Sequence, residues 1–138
     1  MNISPLVLSS RDLEQVAQMS EAIDVVSDAF RALARGDAQM PPKIYVEVSE
    51  HSGDFRAMPA YSRTLNAAGL KWVTSYAKNV ELPSVIGIYV LSRASDGCPL
   101  AIMDGTFLTN LRTGAAVGAA SRALARKDAT VFGFIGCG

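Results

Sequence analysis

The sequence predicts an α+β protein: a curved, mostly antiparallel sheet with packed helices, ending at the first strand of an incomplete second domain. Three observations lead to this prediction. Residues 21–35 have helical periodicity, residues 43–103 largely follow the two-residue period of strands, and residues 106–127 are again helical in composition. We therefore expect a first domain over residues 1–128 and the beginning of a second over residues 129–138.

Composition limits the classes to which the chain can belong. It has 138 residues, 49% of them hydrophobic, with 13 Lys+Arg against 13 Asp+Glu. Such a chain can bury a core, and its zero formal charge gives no reason to expect nucleic acid or an anionic membrane as a partner. No apolar run approaches the roughly 18 residues of a membrane span. Two cysteines and an N-terminus without a basic region indicate a reduced, cytoplasmic protein.

Capping signals place the helices. Ser9 and Asp12 have the spacing of a capping box, which predicts a short helix there. Ser20 is the expected N-cap of the helix over residues 21–35, and Gly36 its C′ residue. We expect this helix to pack directly on the sheet. The helix over residues 106–127 carries a face with almost no side chain, so another backbone can approach it closely. That face consists of Gly114, Ala115, Gly118, Ala119 and Ala120.

The strands are predicted over residues 43–48, 55–61, 68–76, 85–92 and 99–103. Asp96-Gly97 marks a hairpin between the last two strands, because glycine tolerates a positive φ. Pro59 lacks an N–H group, so it restricts the later part of its strand to an edge or a bulge.

The last ten residues carry a weak nucleotide-binding signal. Residues 129–135 have the composition of a buried strand, and Gly136-Cys137-Gly138 follows them. An apolar strand followed by Gly-x-Gly begins a dinucleotide-binding Rossmann unit: Gly136 permits the tight turn and Gly138 lets the backbone approach a pyrophosphate. The third small residue, the helix and the acidic residue of the full fingerprint are absent from the sequence, so this pattern alone is also typical of an ordinary loop.

Four basic residues are candidates for binding an anion. Lys71 lies in a strand between two apolar neighbours and faces the opposite way, and Arg112 lies in a helix beside the small-residue face. Such a pair suits a substrate carboxylate and a pyrophosphate. The alternative, that each is solvated, is the more common situation for any single Lys or Arg, and it applies equally to Lys43 and Arg56. His51 is the only histidine and lies at a turn, so no metal site is expected.

Several runs in order resemble the ornithine cyclodeaminase/mu-crystallin family. They are Met58-Pro59-Ala60-Tyr61, Gly69-Leu70-Lys71-Trp72-Val73, Leu82-Pro83-Ser84-Val85, residues 97–105 and residues 108–116. Residues 134–138 are similar to the start of that family's nucleotide domain. The resemblance covers nearly the whole chain and implies a substrate-binding and dimerisation domain followed by a Rossmann domain that binds NAD.

The resemblance also implies roles for individual residues. Lys71 matches a catalytic lysine that contacts the substrate carboxylate and moves a proton. Lys43 lies where many members have a carboxylate-binding arginine, and Arg112 matches the arginine between the cofactor phosphate and the substrate. The cofactor-binding residues it implies are Ser84, Arg112, Gly136 and Gly138.

The implied reaction is that of ornithine cyclodeaminase, which converts L-ornithine to L-proline and ammonia with NAD. The alternatives are an alanine dehydrogenase or a ketimine reductase, or a non-catalytic dimerisation module. The implied partners are a small amino-acid substrate and a second copy of the chain. The acidic residue that cyclodeaminases use as acid and base lies in the second domain, so we expect the 138-residue chain by itself to be inactive and to bind NAD negligibly.

Overall fold

The computed structural model describes residues 3–136, which form one seven-stranded sheet and three α-helices. The elements in chain order are β1 (Leu6–Leu8), α1 (Ser10–Val16), α2 (Met19–Ala34), β2 (Ala38–Gln39), β3 (Ile44–Val48), a 3₁₀ turn (Ser49–His51), β4 (Gly53–Ser62), β5 (Ala67–Tyr76), β6 (Val85–Arg93), β7 (Pro99–Asp104) and α3 (Gly105–Leu124). The predicted α+β class is confirmed, while the curvature of the sheet stays a prediction. No helix among the described residues is long and apolar enough to cross a membrane.

The sheet has the order β1-β7-β6-β5-β4-β2, and β3 also pairs with β4. All pairs are antiparallel except β1 with β7, so the predicted mostly antiparallel sheet is confirmed. The outer side of β4 is shared: β3 pairs with residues 53–57 and β2 with residues 61–62. Pro59 falls in the gap between them, which is the local edge position that its missing N–H group requires.

The caps of the first two helices agree only in part with the sequence. Ser9 and Asp12 form the predicted capping box. Gly36 has φ +77° after α2, and its N–H group donates to the carbonyl of Leu33 at 3.1 Å, as expected for a C′ glycine. The prediction of Ser20 as an N-cap is wrong: α2 begins at Met19, and its N-cap Gln18 makes no side-chain capping bond.

The helices form two layers on one face of the sheet. Helix α3 packs against β5 and β6, and α2 packs mainly against α3, reaching the sheet at β2. The expectation that α2 lies directly on the sheet is therefore wrong, because α3 fills that position. The predicted close approach at the small-residue face is confirmed: a Cβ at Gly118 would lie 2.7 Å from Ile23 Cδ1, and one at Gly114 would lie 3.2 Å from Met19 Cε.

The end of the chain does not form the predicted strand. Residues 125–136 contain no helix or strand, and Val131 and Ile135 are almost fully exposed. A strand requires a hydrogen-bonding partner, and no strand among residues 3–136 pairs with this segment. Gly138 lies outside the described residues, and the assignment of residues 129–138 to a second domain stays a prediction.

Candidate functional site: a buried lysine beneath helix α3

Strand β5 turns alternate side chains to opposite faces of the sheet. Lys71 and Val73 face the helices and are buried at 8% and 4% exposure, whereas Trp72 faces the side without helices at 38%. This alternation is the one expected from the sequence. It places an amino group in the layer between the sheet and α3.

The Lys71 ammonium is held by the helix above it. Lys71 Nζ donates to Thr109 Oγ1 at 3.1 Å. Thr109 Oγ1 in turn donates its only proton to the carbonyl of Gly105, one turn earlier, at 2.6 Å. Towards Lys71, Thr109 can therefore only accept.

The position of Thr109 depends on how the first turns of α3 dock on β6. The N–H group of Gly87 donates to Thr106 Oγ1 at 3.1 Å. Gly105 lies so close to the strand that a Cβ there would meet the Gly87 carbonyl carbon at 2.7 Å. Asp104 caps the helix by accepting from the Phe107 N–H group at 2.7 Å. Together these contacts fix Thr109 directly over β5.

Burial and neighbouring positive charges change the acidity of this lysine. Burial, together with the neighbouring charges of Arg112, Lys43 and Arg56, lowers the pKa of Lys71 from 10.5 to about 8, and burial makes the largest contribution. A substantial fraction of Lys71 is thus uncharged in mildly alkaline solution, so its amine can accept as well as donate a proton.

The surplus of positive charge around Lys71 is only partly neutralised. Arg56 forms a two-pronged ion pair with Asp54, with distances of 2.5 and 2.8 Å, and this bond lowers the pKa of Asp54. Among residues 3–136, no ion pair involves Lys43, Lys71 or Arg112. A carboxylate ligand would supply the missing negative charge.

The neighbouring strands complete the surroundings of Lys71. In the register of the sheet, Lys71 lies opposite Met58 on one side and Tyr89 on the other. The absence of a side chain at Gly69 makes room for the Tyr89 hydroxyl, which a Cβ would overlap. Burial raises the pKa of Tyr89, so its phenol remains protonated and is a hydrogen-bond donor.

Of the predicted site residues, Lys43 and Arg112 lie near Lys71, whereas Ser84 and Gly136 lie apart from it. Lys43 and Arg112 lie near enough to act electrostatically on Lys71, although both are exposed. Ser84 is exposed before β6, where its carbonyl accepts from the Tyr76 N–H group at 2.7 Å, and no contact joins it to Lys71.

The glycine turn is also separate from the cluster formed by Lys43, Lys71 and Arg112. Gly136 has φ +86°, as a phosphate-binding turn would, but it is exposed and nothing lies within 4 Å of a Cβ built on it. No helix N-terminus adjoins it among the described residues, so these residues by themselves do not fit a pyrophosphate.

Sequence reasoning missed the part that Thr109 plays and did not place Arg56 on the same face as Lys71. Thr109 precedes Arg112 by three positions, so the two share a helix face, and the candidate Arg112 could have indicated it. Arg56 lies opposite Val73 in the sheet and therefore on the same face as Lys71, but this follows only from the strand register.

Comparison with known proteins assigns the family. The profile of the ornithine cyclodeaminase/mu-crystallin family matches residues 3–138. The chain belongs to this family. It is 50% identical over 135 residues to the alanine dehydrogenase of Archaeoglobus fulgidus, covering 96% of this chain and 41% of that protein. It is 31% identical over 135 residues to a Delta(1)-pyrroline-2-carboxylate reductase of Bacillus cereus, covering 96% of this chain and 42% of the relative.

Solved structures give the same grouping. An archaeal alanine dehydrogenase dimer with bound NAD superposes with a TM-score of 0.90 at 49% identity, over 97% of this chain and 41% of that one. The Delta(1)-pyrroline-2-carboxylate reductase of Thermococcus litoralis, in complex with NADH and L-proline, gives 0.86 at 43% identity over 89% of this chain and 39% of that one. This chain therefore spans about two-fifths of the length of the relatives that it matches.

Proposed function

We propose that this chain is the substrate-binding and dimerisation part of an NAD-dependent oxidoreductase that acts on a small amino acid in the manner of an alanine dehydrogenase. One observation carries the proposal: Lys71 is buried between β5 and α3, close to two further cations that have no ion-pair partner among the described residues. An anion bound beside Lys71 would offset the cost of burying its charge, and the carboxylate of an amino acid is the matching anion.

Each residue has a distinct task in this proposal. Lys43 and Arg112 bind the substrate carboxylate from the open side of the cluster, and Lys71 binds it from below. Because its pKa is lowered to about 8, Lys71 also gives or takes the proton of the reacting amino or carbonyl group. When bound, NAD would supply the hydride acceptor.

The choice of branch rests on the relatives. Identity of 50% to an alanine dehydrogenase favours that reaction over the conversion of ornithine to proline. A Delta(1)-pyrroline-2-carboxylate reductase is the second candidate, supported by 43% identity to the Thermococcus litoralis enzyme. Both substrates carry a carboxylate on the carbon that is bonded to nitrogen, so the same cluster suits either of them.

We also propose that two copies associate through the sheet face without helices. That face carries a large apolar area, and Trp72 stacks there on Phe55 with ring centroids 5.4 Å apart. Large exposed apolar faces are typical of protein–protein interfaces. The exposed apolar side chains on this face include Ile44, Val46, Leu70, Trp72, Ile88 and Ile102.

Sedimentation of the purified chain tests the dimer. Ile88→Glu should convert the dimer to a monomer, because it buries a carboxylate in the interface. Val80→Glu, at a loop residue that is 96% exposed, is the matched control and should leave the dimer intact. A monomeric wild-type chain, or a dimer that survives Ile88→Glu, would contradict this interface.

Carboxylate binding can be measured on the chain itself. We would follow the ¹³Cε resonance of Lys71 in lysine-labelled protein while adding L-alanine, pyruvate or L-proline, with alaninamide as a ligand that lacks the carboxylate. The carboxylates should raise the pKa of Lys71, since a bound anion stabilises its charged form, and alaninamide should not. Equal responses to alanine and alaninamide would contradict the proposed carboxylate site.

Activity requires the protein encoded by the whole reading frame, including any codons beyond Gly138. We expect NAD-dependent oxidation of L-alanine to exceed that of L-ornithine, and we would assay reduction of Delta(1)-pyrroline-2-carboxylate with NADH in parallel. Lys71→Ala should raise KM and also lower kcat if Lys71 moves a proton. Absence of turnover with all three substrates would favour a non-catalytic dimerisation module.

A further inference from the structure

We infer that Thr109 is a positioning residue for Lys71. Its hydroxyl fixes the amino group at the end of the Lys71 side chain. It thereby sets the direction in which the other N–H groups, or the lone pair, of Lys71 Nζ point. This inference builds on the proposed role of Lys71 in substrate binding. The geometry on which it stands, however, is independent of any substrate.

The number of protons on the Thr109 hydroxyl determines how it can contact Lys71. Thr109 has one hydroxyl proton, and the 2.6 Å bond to the Gly105 carbonyl uses it. The lone pairs of the hydroxyl are therefore what Lys71 Nζ meets at 3.1 Å. In either protonation state Lys71 has an N–H group to donate here, so the contact can persist when the lysine loses its proton.

The contact restricts an otherwise mobile group. A lysine amine rotates freely about its last bond, and a single fixed acceptor removes most of that freedom. With one N–H group committed to Thr109, the other N–H groups, or the lone pair of the neutral amine, point away from α3. Thr109 is itself fixed because Gly105 packs against the backbone of β6, so the acceptor cannot easily follow a moving lysine.

The groups that face Lys71 come from several elements. Arg112 is on α3, Arg56 with its partner Asp54 is on β4, and Lys43 precedes β3. Tyr89 on β6 is opposite Lys71 in the sheet, and burial raises the pKa of its phenol, which is therefore protonated at neutral pH. Within residues 3–136, Thr109 is the one side chain that makes a hydrogen bond to Lys71 Nζ. Removing the Thr109 hydroxyl should therefore change the pKa of Lys71 directly.

The test compares the pKa of Lys71 in four versions of the chain, read from the ¹³Cε resonances of its four lysines. Thr109→Val keeps the shape of the side chain but removes the acceptor, and it should lower the pKa of Lys71 by about one, because the ammonium loses a hydrogen bond. Thr109→Ser should restore the wild-type value. The matched control is Thr113→Val, one turn later, where the same type of hydroxyl bond to the Thr109 carbonyl is removed at an exposed position.

An unchanged pKa of Lys71 in folded Thr109→Val, or an equal fall in Thr113→Val, would overturn the inference. If Thr109→Val does not fold, the wild-type chain decides: a nuclear Overhauser effect between the Lys71 ε-methylene and the Thr109 methyl group supports the contact, and its absence refutes it. The carboxylate titration is a separate experiment, so a fall of the pKa without ligand binding would refute the proposed function while this inference stands.

Discussion

Replacing Lys71 by methionine should stabilise the folded chain at neutral pH. Methionine has nearly the same length and is apolar, so it fills the space between β5 and α3 without a charge. Thr109 keeps its bond to the Gly105 carbonyl and is not left without a partner. The change therefore removes a buried cation and leaves no new unsatisfied group behind.

The size of the effect follows from the pKa of Lys71. Lowering it from 10.5 to about 8 means that the folded state disfavours the ammonium by at most about 3.5 kcal/mol, at roughly 1.4 kcal/mol for each pKa unit. Part of this is offset by the lost bond to Thr109. We expect Lys71→Met to raise the free energy of unfolding by about 1–3 kcal/mol near pH 7.

The stability gained by Lys71→Met should decrease as the pH rises from about 8 to about 10.5. Below about pH 8 the lysine is protonated in both the folded and the unfolded state. The folded wild-type chain is therefore destabilised by the full cost of burying the ammonium. Between about 8 and 10.5 the unfolded chain binds more protons than the folded one, so wild-type stability rises with pH through this group. Lys71→Met lacks this group, and its advantage should shrink over the same interval.

Urea unfolding at about pH 7 and about pH 9.5 measures both quantities. Lys78→Met is the matched control, since Lys78 is exposed and its Nζ donates only to Ser52 Oγ, at 2.9 Å. It should change stability by less than about 0.5 kcal/mol at either pH. A variant at position 71 that is less stable than wild type at neutral pH, or an advantage that does not vary with pH, would refute the reasoning.

Four further substitutions test how the helices are held, each by the same unfolding measurement. Gly105→Ala should cost about 2–3 kcal/mol, because its Cβ would lie 2.7–2.8 Å from the backbone of β6, whereas Gly114→Ala, 3.2 Å from a flexible side chain, should stay within about 1 kcal/mol. Gly36→Ala should cost about 1 kcal/mol at φ +77°. Asp104→Ala should cost about 1 kcal/mol by removing the cap of α3, and a wild-type value would show that the cap is dispensable.

Local patterns were sufficient to predict the strands β3 to β7 and the face on which Lys71 lies. The alternation in β5 predicted that Lys71 and Trp72 lie on the two different faces of the sheet, and the structure has that arrangement. Gly97 has φ +72° in the predicted turn, where Arg93 N–H donates to the Cys98 carbonyl at 2.8 Å. These features depend on the residues themselves and their near neighbours, so the sequence contains the necessary information.

The layer order was not predicted, although the sequence contained a signal for it. The apolar residues of α2 follow one stripe, as in a helix that packs on one side only. In α3, by contrast, the apolar residues do not form a single stripe, and the structure places this helix between the sheet and α2. The absence of one stripe is consistent with a helix that packs on more than one side, so α3 was the better candidate for direct contact with the sheet.

Other features depend on partners that are distant in the chain. The three residues of β1 pair in parallel with β7, and three residues are too few for any period to be recognised. The composition of residues 129–135 favours a strand, but composition cannot provide the hydrogen-bonding neighbour that a strand needs.

The ion pair between Asp54 and Arg56 explains how the cluster can keep room for a ligand. Asp54 lies opposite Ser75, on the same face as Lys71, and a free carboxylate there would be drawn to the unpaired cations. Arg56 instead binds both carboxylate oxygens of Asp54. The Arg56 guanidinium also lies 5.3 Å from the centre of the Tyr45 ring. One acid is thereby committed to one base along the strand. Under the proposed function, the charges of Lys43, Lys71 and Arg112 are then available to bind a substrate carboxylate.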